Sequence, residues 1–144
     1  MAHLAVQQYQ SINQQSAIHY ADDHLLIQML YEALSDHIAQ ASHLLEQGNY
    51  NIEQKGKLIS KAIMLVEALK AYLNYEQGGQ IAVNLGALYD YMERTLFEAN
   101  YKNDVNLLLE VKKLVEEIKA GWIGIREEAL VYLKKSAAPS HDLQ

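Results

Sequence analysis

The chain is 144 residues long, half of them apolar, with one proline, no cysteine and a formal net charge of −6. That is enough chain for one domain with its own core, and too apolar for a disordered one. Disulfides, thiolate chemistry and zinc–sulfur sites are excluded, and the acidic balance argues against nucleic acid and anionic membranes, which need a basic footprint.

The charge is unevenly placed. Residues 1–54 hold six acids (Asp22, Asp23, Glu32, Asp36, Glu46 and Glu53) and no Lys or Arg, while the remainder balances twelve acids with twelve bases. The net charge therefore sits in the first third, where it reads as a solubilising face. No apolar run approaches the roughly 20 residues of a membrane span. Met1–Gln15 has neither the basic start nor the apolar stretch of a secretory signal. The expectation is a soluble, cytoplasmic chain.

Residues 1–21 read as an N-terminal appendage. They are rich in Gln and carry scattered apolar anchors, with Ala5, Tyr9 and Ile12 spaced for a short amphipathic helix. Asp22 is the expected N-cap of a first helix running to about Gln47, with Gly48 at its end. Its apolar positions form two adjacent stripes: Leu26, Leu30, Ala33, Ala41 and Leu44, then Ile27, Tyr31, Leu34, Ile38 and Leu45. A helix buried along one seam needs a narrower arc. Either two neighbours cover these stripes, or part of the arc awaits a partner.

A second helix is predicted over about Ile52–Gln77, ended by Gly78-Gly79. A third spans about Gln80–Tyr101, with Ile81, Leu85, Leu88, Tyr89, Met92, Leu96 and Ala99 on one stripe and Val83, Gly86 and Phe97 on the other side. A fourth starts near Asp104 and keeps one apolar stripe through Trp122 to Tyr132, roughly 45 Å at 1.5 Å per residue. Ser136–Gln144 reads as a loose tail. Short turns between long helices imply antiparallel neighbours. The predicted fold is all-α: an up-down four-helix bundle over 22–135 with an elongated last helix, the appendage 1–21 before it and a tail over 136–144.

The search for chemistry is negative. No Glu-x-x-His or His-Glu-x-x-His pairs the six His as bundle metal sites require. His37, inside the apolar arc, reads as a partly buried core histidine. Gly56-Lys57 lacks the preceding Gly spacing and the following Ser or Thr of a phosphate loop. Gly121-x-x-Gly124 reads as close helix packing. Glu116-Glu117 and Glu127-Glu128 alternate with Lys112, Lys113, Lys119 and Arg126 as a salt-bridged solvent face. No catalytic residue, metal or cofactor is expected. Ten Tyr against one Phe and one Trp suit either a groove with wet hydroxyls or a Tyr-edged core.

Three segments carry a resemblance. Leu25-Leu26-Ile27-Gln28-Met29-Leu30-Tyr31-Glu32, then Gly78-Gly79-Gln80-Ile81-Ala82-Val83-Asn84-Leu85 with Leu88-Tyr89-Asp90-Tyr91-Met92, then Ala99-Asn100, Asn103-Asp104 and Trp122 are similar to the flagellin-specific export chaperone family, FliS. The likeness runs from about Val6 to Trp122, and the segment from Gly78 to Met92 is its most specific part. Asp22-Asp23 stands where the family often has Ser-Pro, which Asp can replace as a cap. The stripe from Ile123 to Leu133 is more regular than the family's C-terminal end.

The resemblance implies a cytoplasmic bundle that binds the C-terminal region of flagellin, blocks its premature polymerisation and hands it to the flagellar type III export apparatus. The export gate and a regulator of flagellar genes are further partners on this reading. It also implies that the N-terminal segment near Val6 and Tyr9 covers the groove or joins the client contact. The expected client-binding residues are therefore Val6 and Tyr9, the second stripe of the first helix (Ile27, Tyr31, Leu34 and Ile38), and Val83, Asn84, Tyr91 and Phe97 of the third. Competing readings are a structural or regulatory bundle that self-associates as a homodimer through its fourth helix, and a bundle enzyme or metal carrier.

Overall fold

The computed structural model describes residues 23–124. Apolar residues recurring at three and four, no internal Gly or Pro, and an acid in the first turn give α1, Asp23–Gln47. Gly48 follows at φ 75°, a left-handed conformation that glycine adopts without Cβ cost. Asn51 then caps α2, Ile52–Ala71, its side chain accepting from the Gln54 amide at 3.0 Å.

α2 stops six residues before the predicted end. The Asn74 side chain accepts from the amides of Glu76 (3.1 Å) and Gln77 (3.0 Å), so it starts the next helix instead of continuing the last. Tyr72 and Leu73 fall back on the carbonyls of Leu69 and Lys70, both at 3.1 Å. Gly78-Gly79 is therefore not the terminator expected of it. α3, Tyr75–Lys102, runs through both glycines and kinks at Gly79, whose φ of 50° and ψ of −126° suit only glycine. Asn103 ends α3 at φ 53°, and the Asp104 carboxylate accepts from the amides of Asn106 and Leu107 to open α4, Val105–Gly124. The predicted continuation to about 135, the appendage and the tail lie outside the described residues.

The four helices form an all-α bundle. α1 packs between α2 and α4, and α3 closes the far side against the same two neighbours. Two packed neighbours account for the wide apolar arc of α1. Tyr31, Leu34 and Ile38, expected on a client surface, are instead fully buried in the core with Val66, Met92, Leu96 and Val111. A helix with two neighbours needs both stripes for them. Gly121 and Gly124 are exposed, and among the described residues no close helix packing stands against either.

Polar groups tie the seams. Buried Lys55 donates to the Asn100 carbonyl at 2.9 Å and its side-chain oxygen at 2.8 Å, so the start of α2 satisfies a last-turn carbonyl of α3. Burial pushes this ammonium's pKa down. At the other end of α2, Lys70 reaches Asp90 at 2.8 Å, Glu93 at 3.1 Å and Glu67 at 3.4 Å. Burial, and then the hydrogen-bonded Glu67 carboxyl, raise Glu93 from 4.5 to about 7. Glu67 moves the other way, held down by that same bond.

The folded chain thus keeps a proton on Glu93 that the unfolded chain releases. The stability this adds is complete below the unfolded pKa and is lost as pH rises through about 7. The Glu67 shift acts only below its ordinary value of 4.5. His37, lowered by burial and then by Lys61, contributes the opposite slope near neutrality. A comparison of variants separates the two: from pH 6 to 8, Glu93→Gln should gain stability relative to the wild type in urea unfolding. A difference that stays constant across that range would remove the shared proton.

Candidate functional site: an apolar cavity at one end of the bundle

The start of α1, the end of α2, the start of α3 and the end of α4 meet at one end of the bundle without filling it. They leave an open cavity of about 460 Å³. α1 supplies Asp23, His24, Ile27 and Tyr31. α2 and the turn after it supply Leu69, Tyr72 and Leu73, and α3 supplies Ile81, Ala82, Leu85 and Tyr89 beyond its kinked first turn. Trp122 of α4 completes the wall.

The gap follows from the local backbone. The kink at Gly79 separates the first turn of α3 from the rest of that helix, and the Tyr75 hydroxyl stands 2.8 Å from where a Cβ on Gly86 would be. Ile81, two residues past the kink, is left 71% exposed although it belongs to the core stripe of its helix. A side chain that continues a core stripe past the point where neighbours end is a ready apolar contact.

The opposite wall is pinned by a reciprocal clamp. The His24 and Trp122 rings stack, with centroids 4.6 Å apart and planes at 10°. Trp122 Nε1 donates to the His24 carbonyl at 2.9 Å, and His24 Nε2 lies 2.6 Å from the Trp122 carbonyl. On the inner wall, the hydroxyls of Tyr31 and Tyr89 hydrogen-bond each other across the bundle diagonal. Burial pushes both phenols up: for Tyr31 the bond to Tyr89 opposes the rise, while for Tyr89 the Tyr31 hydroxyl adds to it.

Among the expected site residues that are described, only Ile27 and Tyr31 reach this cavity. Val83 and Phe97 are exposed on the outer face of α3, at 50% and 70%. They are 14 positions apart, roughly 21 Å along a helix, so they share a stripe but not a pocket. Asn84 is exposed and accepts from Gln80 at 2.9 Å, and the Tyr91 hydroxyl donates to Glu110 of α4. Val6 and Tyr9 lie outside the described residues.

Sequence reasoning missed His24 and Trp122 as a pair, and took Ile81 and Leu85 for part of a core stripe. The glycine pair was the available signal, since it marks where α3 departs from regular packing. For His24 there was none: the contact joins residues 98 positions apart. Among the described residues, no helix is long and apolar enough to cross a membrane, and no three His, Cys, Asp or Glu side chains gather as a metal site.

A helical bundle whose apolar core opens at one end into a receptor-like cavity is the class of protein this fold and site define. The chain belongs to the FliS family: residues 5–129 match the family described as flagellar protein FliS. It is 42% identical over 121 residues to the flagellar secretion chaperone FliSB of Pseudomonas aeruginosa, covering 84% of this chain and 94% of that one. It is 39% identical over 125 residues to the flagellar secretion chaperone FliS of Salmonella typhimurium, covering 86% and 91%. The corresponding protein of Vibrio cholerae is 35% identical over 124 residues, covering 86% and 90%.

Proposed function

We propose that this chain is a cytoplasmic, non-enzymatic export chaperone. It holds the C-terminal region of flagellin, with an apolar client side chain seated in the cavity, until the client passes to the flagellar export gate. The observation that carries this reading is the open apolar cavity, bounded by the segment from Gly78 to Tyr89 and by Trp122. A client that polymerises when free has apolar helix faces, and a groove that buries them prevents both polymerisation and aggregation. Each large apolar side chain buried contributes roughly 1.5–3 kcal/mol before ordering costs of about 2–5 kcal/mol for the whole segment. Three or four anchors therefore give binding that is tight yet reversible.

The outer stripe of α3, with Val83 and Phe97, extends the contact beyond the cavity for a client that wraps the bundle. The family resemblance adds Val6 and Tyr9 to this reading, as residues that cover the groove or join the client contact. The test is to titrate the purified protein with flagellin from the same bacterium, intact and lacking its C-terminal segment. The intact client should bind and the truncated one should not; equal affinity for both would sink the proposal.

A further inference from the structure

Tyr31 and Tyr89 both line the cavity and both are almost fully buried, at 1% and 2% exposure. Their two hydroxyls carry two protons, and a single mutual hydrogen bond uses one of them. Among the described residues, each hydroxyl has only the other as its hydrogen-bond partner. Among the described residues, one buried O–H is therefore left without an acceptor, a costly state for a donor. If Tyr31 donates to Tyr89, the spare proton is on Tyr89; if the bond runs the other way, it is on Tyr31. Burial keeps both phenols protonated at neutral pH, so the spare donor persists.

We propose that the Tyr31–Tyr89 hydroxyl pair is a hydrogen-bond donor of the client cavity. It selects, among apolar peptide segments, those that bring an oxygen acceptor to the inner wall: a backbone carbonyl, or the amide oxygen of Gln or Asn. The inference rests on the cavity being the client site. A purely aliphatic tip fills the same space and leaves the proton unmet. A site built around a buried donor rejects ligands that lack the matching acceptor more strongly than an apolar pocket rejects a wrong shape.

The pair makes an unusual prediction for single and double variants. Tyr31→Phe leaves the Tyr89 hydroxyl with its proton, and Tyr89→Phe leaves that of Tyr31, so each single variant still owns one donor. Flagellin binding by either should stay within about threefold of wild type, whereas the double variant should lose about tenfold or more. Removing both hydroxyls leaves two apolar rings of the same shape, so thermal unfolding should change little. Calorimetric titration of all three variants beside Ile81→Asp reads these outcomes.

A double variant that binds as wild type while Ile81→Asp still weakens binding overturns the donor role alone. So does a single variant as weak as the double. If Ile81→Asp leaves binding intact, the cavity reading falls and the donor role with it. In the wild-type complex, proton NMR should show a second slowly exchanging tyrosine hydroxyl that the free protein lacks, and its absence would overturn the proposal without any substitution.

Discussion

Replacing Ile81 by Asp is expected to weaken flagellin binding about a hundredfold while leaving the fold intact. The side chain lines the cavity yet is 71% exposed, so in the free protein the new carboxylate stays in water. Exposed substitutions of this kind usually change stability by no more than about 0.5 kcal/mol. In the complex, the variant loses an apolar anchor of roughly 1.5–3 kcal/mol and must also bury a charge without a partner. At about 1.4 kcal/mol per tenfold, the first term alone reaches tenfold to hundredfold, and the second carries it further. Isothermal titration against flagellin, with a circular dichroism melt as the control on folding, measures both halves. Unchanged affinity would place the client elsewhere, with the outer stripe of Val83 and Phe97 as the next surface to probe.

Trp122→Ala is expected to cost about 3 kcal/mol of folding stability, the lower end for a large aromatic because the ring is only partly buried. Three contributions go together. The ring packs against the core, it stacks on His24 at 4.6 Å, and its Nε1 donates to the His24 carbonyl. Trp122→Phe separates them: it keeps a ring against His24 and removes the donor, for a loss of about 1 kcal/mol. Urea unfolding followed by circular dichroism reads both values. As the chain has one Trp, the emission of the wild type reports the clamp directly. A loss below about 1 kcal/mol for the alanine variant would mean that α1 and α4 are held together elsewhere, for example through Ser35 and Glu116. Because Trp122 and His24 also wall the cavity, the alanine variant should bind flagellin more weakly than its stability alone explains.

The bundle was legible because long segments with apolar residues at three and four, few breakers and no strand pattern leave few other folds. Element ends were less so. Asn74 and Gly78-Gly79 both carry turn chemistry, and the chain uses Asn74 as the cap while keeping the glycines inside a kinked helix. Either choice satisfies local rules, and only the packing of Tyr75 over Gly86 tells them apart. On α1, the alternation that marked Tyr31, Leu34 and Ile38 as apolar could not say which neighbour each would meet.

By itself, then, the sequence determined the helical class, the four helices of the described residues, the absence of cysteine chemistry and, through Gly78 to Met92, the family. These are properties of local periodicity and of residue identity. Only the tertiary structure decided which apolar side chains are core and which remain open. Burial depends on where four helices of unequal length stop relative to one another, as Ile81 at the open end and Ile38 inside the bundle demonstrate. It also decided that His24 meets Trp122 and Tyr31 meets Tyr89, contacts between positions 98 and 58 apart that no spacing along one helix encodes.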